Sequence, residues 1–351
     1  PSIFLAGQRL WAMINIFAEA NCNRYVRDEC RYCHVYEPLM QIPKSDWHLM
    51  PEQAQVMVDK ILQMEVFREL AKREINLTGG EPSQNPHIVE IFKIFRKLTP
   101  NVRIHTNLDI SSTASPRWQR LVEIMKMLGR VDFTLYPTVW ESRQKPLLKE
   151  ILELQDELIV NMIFEKVPDL LSQIETLIAF FEEQEKKFES VLSLLGAYRK
   201  KLENLLRENP ECDEGAFLKH MEGTDNYICT DNFTFGLNMI PGFYVDKNGE
   251  RAMNAQPFPK DINFLECTIP RGTIEIITVQ QTGEITPCCD VGNLKCKPKF
   301  GNLLNDSPGE IMNQVEVSRE KMVSGAIKNR QNINNGKGGE GVEEGIPPYC
   351  V

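Results

Sequence analysis

Short apolar runs of β character alternate with longer stretches of helical periodicity from Trp11 to about Phe164. The runs that read as strands are Trp11 to Phe17, Glu74 to Thr78, Val102 to Thr106, Val131 to Tyr136 and Leu158 to Phe164. Between them, Pro51 to Leu70, Pro86 to Leu98, Pro116 to Leu128 and Pro146 to Gln155 read as helices, each with a proline at its start, where a missing N–H costs least. Strand–helix alternation of this kind predicts a parallel sheet with crossover helices. Asp169 to Arg207 reads as helix almost throughout, with Leu170, Ile174, Leu177, Phe180 and Phe181 at a period near 3.6. Its second half exceeds what a crossover needs, so an inserted helix is expected at about residues 182–208, with the charged run from Glu182 to Lys187 as a solvated face. Asn232 to Ile240 supplies a sixth strand, giving six β/α units rather than the eight that close a barrel.

From Pro241 onward the texture changes to Gly, Pro and short β runs, which marks a second region. The expected fold is therefore α/β: a partial (β/α)6 TIM-like barrel over residues 8–240, then a small domain over residues 241–351. The stretch from Asn329 to Gly345, rich in Asn, Gly and Glu, predicts a mobile tail.

The 351 residues, 42% hydrophobic and 25% charged, suffice for one barrel-sized domain, a smaller one and a sizeable core. Asp and Glu outnumber Lys and Arg by 49 to 40, a formal net charge of -9, so no overall positive field draws a nucleic-acid backbone. No apolar run approaches bilayer length and no signal peptide opens the chain, so a cytoplasmic protein without a membrane partner is expected. In a reducing compartment the ten cysteines read as ligands or buried thiols rather than disulfides. Cys22, Cys30 and Cys33 bunch near the start, whereas Cys267, Cys288, Cys289, Cys296 and Cys350 fall in the last third.

Cys22, Cys30 and Cys33 follow the first strand directly, so three thiolates can converge on one loop at a strand end. Three thiolates suit an iron–sulfur cluster with one iron left for a non-protein ligand. A zinc site is the alternative, with His34 the nearest fourth ligand. One β/α unit later, Gly79-Gly80-Glu81-Pro82 ends the second strand ahead of a helix, a context in which glycine lets a backbone come close to a ligand. An ordinary tight turn is the alternative there.

Together the two stretches resemble the start of a radical S-adenosylmethionine (SAM) enzyme. The first cysteine gap is seven residues here rather than the family's usual three, while Cys30 and Cys33 keep the family spacing and Tyr32 fills the aromatic position before the last cysteine. The resemblance implies a [4Fe–4S] cluster on Cys22, Cys30 and Cys33, with SAM chelating the open iron. One electron would then cleave SAM to a 5'-deoxyadenosyl radical that takes hydrogen from a C–H bond. It implies too that Gly79, Gly80 and Glu81 hold the amino group of the SAM methionine, and that a flavodoxin or ferredoxin supplies the electron. Thr106 and Asn107 end the third strand in a Thr-Asn pair similar to one the family often carries. With Thr134 and Asn161 on the next two strands, they are candidates for SAM or equally for structural hydrogen bonds. His105, one residue inside its strand end, reads as a core histidine.

In the last third, Cys267, Gly283 and Cys288 are spaced as in the SPASM or twitch auxiliary-cluster domains that follow many such barrels. Thr273 to Val279 and Gly283 to Pro287 read as a hairpin turning near Gln281 to Gly283, and Phe300-Gly301-Asn302-Leu303-Leu304 matches the Gly-Asn-Leu stretch of those domains. The later cysteine run of the full pattern is absent. One auxiliary [4Fe–4S] cluster on Cys267, Cys288 and Cys350 is expected, with Cys296, a cysteine beyond Val351 or an exogenous group as fourth ligand. Cys212, Cys229 and Cys289 read as buried or incidental thiols.

The resulting expectation is an enzyme that abstracts hydrogen from a small-molecule or peptide substrate, leading to dehydrogenation, cross-linking or rearrangement. No leader-binding domain is recognisable ahead of the first strand, which favours a small molecule or a free-standing peptide. A non-catalytic iron–sulfur or zinc protein on the same scaffold is the alternative.

Overall fold

The computed structural model describes residues 13–26, 43–164, 166–184, 188–210, 217, 220–221, 227–230, 233–241, 276–286, 299–318 and 320. In chain order the strands are β1 (Met13–Glu19), β2 (Ile75–Gly79), β3 (Val102–Thr106), β4 (Arg130–Leu135), β5 (Glu157–Phe164), β6 (Tyr227–Cys229), β7 (Thr234–Pro241), β8 (Ile276–Val279) and β9 (Ile285–Thr286). The helices are α1 (Asn23–Val26), α2 (Pro51–Gln63), α3 (Glu65–Arg73), α4 (Ile88–Phe95), α5 (Pro116–Lys126), α6 (Lys145–Leu154), α7 (Val167–Glu182), α8 (Glu189–Glu208) and α9 (308–318). They fall into two units, one drawn from residues 10–105 and 263–351, the other from residues 1–9 and 106–262.

In the first unit β1 is flanked on both sides by parallel strands, β2 with Ile16 opposite Leu77 and β8 with Ile16 opposite Val279. β3 pairs in parallel with β2, and β9 antiparallel with β8. The late hairpin is thus present, and its first strand extends the sheet begun by the first strand of the chain. Alternation sorts the faces. Ile14, Ile16, Ile75, Leu77, Val102, Ile104, Ile277 and Val279 are all buried, and each such side chain contributes about 1.5–3 kcal/mol by leaving water. α3 packs against β1, and α2 against both α3 and α4.

The sequence reads Pro51 to Leu70 as one helix; the chain instead breaks at Met64, which is extended and buried. The cause is phase. Val58, Ile61, Met64, Phe67 and Leu70 recur every third residue, and at about 3.6 residues per turn such a stripe slips about 60° per step. A break restores its register with the core. Pro51 and Pro116 begin their helices, and Pro146 stands second in its own, but Pro86 lies in the loop ahead of α4.

In the second unit β5 pairs in parallel with β4 and with β7, and β7 with a short antiparallel β6 that the sequence did not announce. Within the span expected for an inserted helix, α8 runs from Glu189 to Glu208 and packs on α7. Phe181 and Phe188 bracket the charged run and stack edge-to-face 5.1 Å apart, while Phe181 also meets Phe235 of β7 at 5.4 Å. These contacts fix both ends of the connection.

α5 ends with Leu128 in the left-handed region at φ 61, its side chain 79% exposed. A leucine there carries the Cβ penalty and buries almost nothing in return. Leu128→Gly is expected to stabilise the protein by about 0.5–1 kcal/mol, read as a higher thermal midpoint.

Candidate functional site

The two sequence motifs meet in the first unit, at the C-terminal ends of β1 and β2. β1 is bulged between Phe17 and Glu19 and leads through Ala20 and Asn21 to Cys22, a residue 8% exposed, just ahead of α1. From the other strand, Gly80 N–H donates to the Glu19 carbonyl at 2.7 Å and Glu81 N–H to the Asn21 carbonyl at 2.8 Å. The approach is so close that a Cβ on Gly79, at φ +122, would lie 2.3 Å from the Glu19 carbonyl oxygen. One on Gly80 would lie 2.5 Å from the carbonyl oxygens of Ala20 and Asn21. The glycines therefore admit the backbone of the cysteine loop.

Side chains tighten the same junction. Asn85, fully buried, donates from Nδ2 to the carbonyls of Ala18 at 2.6 Å and Leu49 at 3.0 Å. Gln84 accepts from Asn21 Nδ2 at 2.9 Å and donates to Asn23 Oδ1 at 3.3 Å. Glu81 is fully buried, and its Oε1 accepts from the Ser83 N–H at 3.1 Å and from the Ser83 hydroxyl, capping the turn Pro82–Gln84. Of the expected ligands, Cys22 is described; Cys30, Cys33, Tyr32, Cys267, Cys288, Cys289, Cys296, Cys350, Cys212 and the 329–345 tail lie outside the described residues. Among the described residues no group of three His, Cys, Asp or Glu side chains gathers. A buried thiol on a rigidly held strand-end loop fits one corner of a thiolate-ligated cluster, which needs soft donors and shelter from water.

Glu19 was not singled out by sequence. Its Oε1 accepts from the Asn21 N–H at 2.8 Å, and His48 Nδ1 lies 2.5 Å from Oε2. Burial raises this carboxyl above its ordinary value of 4.5, against the lowering influence of the Asn21 N–H and of His48. The Glu19 contribution to stability is therefore full below pH 4.5 and is lost as pH rises through the raised folded value. Glu19→Gln removes that dependence. Its stability relative to the parent is expected to rise from pH 4.5 upward and to level off once Glu19 is ionised, in urea midpoints at a series of pH values.

The sequence reading also passed over a polar row. Thr278, Asn15, Asn76 and Arg103 stand in register across β8, β1, β2 and β3, on the face opposite the apolar one. Asn76 donates to Asn15 Oδ1 at 2.9 Å, while Asn76 Oδ1 and Thr278 Oγ1 are buried with no hydrogen-bond partner among the described residues. The signal was legible, since strands of a parallel sheet covered on both faces read as continuous apolar runs and these alternate.

The remaining candidates belong to the second unit. Thr106 Oγ1 accepts from the Leu108 N–H at 3.1 Å and Asn107 Oδ1 from the Asp109 N–H at 2.8 Å. Thr134, Asn161 and Asn238 form a row across β4, β5 and β7, in which Asn238 donates to Asn161 at 2.8 Å. The buried Gln144 ties two strand ends together, donating at 2.8 Å to the carbonyls of both Asn107 and Thr134. His105, in the first unit, is half-buried, and Cys229 is exposed rather than buried.

These features define a mixed α/β protein with parallel strands and a sheltered thiol loop clasped by a glycine-containing strand end. A family model described as the Radical SAM superfamily matches residues 20–139, a span that includes both motifs. No curated protein matches the chain. Among solved structures, it is similar to Streptococcus suis SuiB bound to S-adenosylmethionine, at 14% identity and TM-score 0.45, covering 84% of this chain and 64% of that one. SuiB bound to precursor peptide SuiA gives 13%, 0.44, 84% and 63%. BtrN in complex with AdoMet and 2-DOIA gives 13%, 0.36, 89% and 87%. The chain thus spans less than two thirds of SuiB in those two structures, and at such identities nothing about substrate or reaction passes from these proteins to it. No helix among the described residues is long and apolar enough to cross a membrane.

Proposed function

We propose that this chain is a radical SAM enzyme. The reading is carried by one observation: the loop bearing Cys22 and the strand end Gly79-Gly80-Glu81 are hydrogen-bonded into a single assembly, inside the span that the family model matches. Cys22, Cys30 and Cys33 would hold a [4Fe–4S] cluster with one open iron for SAM. Bound together, cluster and SAM supply reductive cleavage to a 5'-deoxyadenosyl radical and hydrogen abstraction from a C–H bond of a small molecule or peptide. The chain's own contribution is placement and shelter. Burial of Cys22 keeps water from its sulfur, and the Gly80 and Glu81 N–H groups fix its loop against β2. Glu81 and its two preceding glycines would take the methionine end of SAM. Thr106, Asn107, Thr134 and Asn161 would bind its ribose or carboxylate. Cys267, Cys288 and Cys350, with Cys296 as a fourth donor, would hold an auxiliary [4Fe–4S] cluster in a SPASM/twitch-like domain over residues 241–351. A flavodoxin or ferredoxin would deliver the electron.

The test is anaerobic reconstitution followed by reaction with SAM and a strong reductant. Brown protein that releases 5'-deoxyadenosine is expected, whereas a Cys22→Ala, Cys30→Ala, Cys33→Ala triple variant releases none and holds about four fewer iron atoms per chain. Colourless, zinc-bound protein, or brown protein that leaves SAM intact, would reject the proposal. Iron near about eight per chain supports the auxiliary cluster, and about four rejects it.

A further inference from the structure

The residues on either side of Cys22 are joined by one side chain from the other motif. Asn21 Nδ2 donates to Gln84 Oε1 at 2.9 Å, and Gln84 Nε2 donates to Asn23 Oδ1 at 3.3 Å, so a single carboxamide spans the residue between them. Gln84 is itself fixed from behind: its N–H donates to the Glu81 carbonyl at 2.9 Å, in the turn Pro82–Gln84. The backbone bonds at this junction reach the residues before Cys22, through the Glu19 and Asn21 carbonyls. Gln84 reaches the residues on both flanks of Cys22.

We infer that Gln84 is a positioning residue, an amide brace that sets the orientation of the Cys22 sulfur by holding Asn21 and Asn23 at fixed separation. The inference rests on the reading of Cys22 as a cluster ligand only for its consequence, since the brace belongs to the protein by itself. The chemistry of the brace is specific. It needs an acceptor toward Asn21 and a donor toward Asn23, and of the side chains of this length glutamine provides both. Glutamate keeps the first bond and loses the second, and leucine loses both. Groups that orient a metal ligand without touching the metal typically govern affinity by about 10–100-fold, because a ligand free to turn away must be re-ordered each time it binds.

The test compares Gln84→Leu and Gln84→Glu with the parent in two measurements. In the metal-free protein, alkylation of Cys22 by iodoacetamide, followed by mass spectrometry, is expected to be about tenfold faster in Gln84→Leu and intermediate in Gln84→Glu. In anaerobically reconstituted protein, iron release to a chelator follows the same order, and the electron paramagnetic resonance spectrum of the reduced cluster shifts in Gln84→Leu. A residue that merely stabilises the fold would lower the thermal midpoint without changing the spectrum or grading with the number of bonds kept. Should Gln84→Leu fail to fold, Asn23→Ala severs one arm of the brace from the other side and is expected to match Gln84→Glu. Parent-like alkylation in Gln84→Leu, or in Asn23→Ala where that stands in, overturns the inference. If the parent takes up no iron, the cluster reading falls while the alkylation series still decides the brace.

Discussion

Gly79→Ala is expected to cost about 4 kcal/mol, the sum of two contributions of about 1–3 kcal/mol each. One is backbone strain, since φ +122 is a conformation that L side chains rarely adopt. The other is collision: the new Cβ would lie 2.3 Å from the Glu19 carbonyl oxygen, and this oxygen is held by the Gly80 N–H at 2.7 Å. A backbone atom so fixed cannot swing aside as a flexible side chain would, so β1 and β2 must part where they carry the two motifs. Against a total stability of about 5–15 kcal/mol this is a large fraction. Urea denaturation measures the loss, and alkylation of Cys22 in the folded variant is expected to accelerate with it. Gly80→Ala tests the collision without the strain, because its φ is ordinary while its Cβ would meet two carbonyl oxygens at 2.5 Å. It is expected to fall between parent and Gly79→Ala. Equal stability of Gly79→Ala and parent would mean that the two strand ends are not clasped as described.

Glu74→Ala is expected to cost about 3–5 kcal/mol, because it removes the carboxylate that Arg103 meets at 3.1 Å with only 6% of the guanidinium side chain exposed. Glu74 is itself 16% exposed, so water replaces little of the lost partner. The cost arises from the charge left behind rather than from the pair's own net worth. The double change Glu74→Leu with Arg103→Met is therefore expected to lie within about 1–2 kcal/mol of the parent, since it removes both charges and keeps the volume. Exposed pairs behave otherwise: severing Lys72–Glu69 is expected to leave the urea midpoint close to the parent's. A urea series on the three variants decides. If the double variant lost as much as Glu74→Ala, the burial of charge would not be the cause.

Most of the strands and helices were legible because their signals are local. A proline at the head of a helix, a stripe at helical period or an alternating run each depends on neighbours along the chain. Thus α5 begins at Pro116 and β8 with β9 forms the hairpin expected around Gly283. The break at Met64 was missed although its cause, a stripe spaced by threes, stands in the sequence. Alternation marks Asn15, Asn76, Arg103 and Thr278 as polar positions one strand at a time. Only the register sets the four side by side.

By itself the amino-acid sequence determined the kinds of element, their order, and which residue types stand at strand ends: a thiol at Cys22 and a glycine pair followed by a carboxylate at Gly79 to Glu81. Tertiary structure alone decided what those residues face. It set the backbone of Glu19 to Asn21 where a Cβ of Gly79 or Gly80 would be, docked β8 against β1, and laid Gln84 across the flanks of Cys22. The physical reason is range. Propensity and periodicity act between residues a few positions apart, whereas these contacts join groups some 60 to 260 positions apart, whose meeting is fixed only when the sheet is assembled.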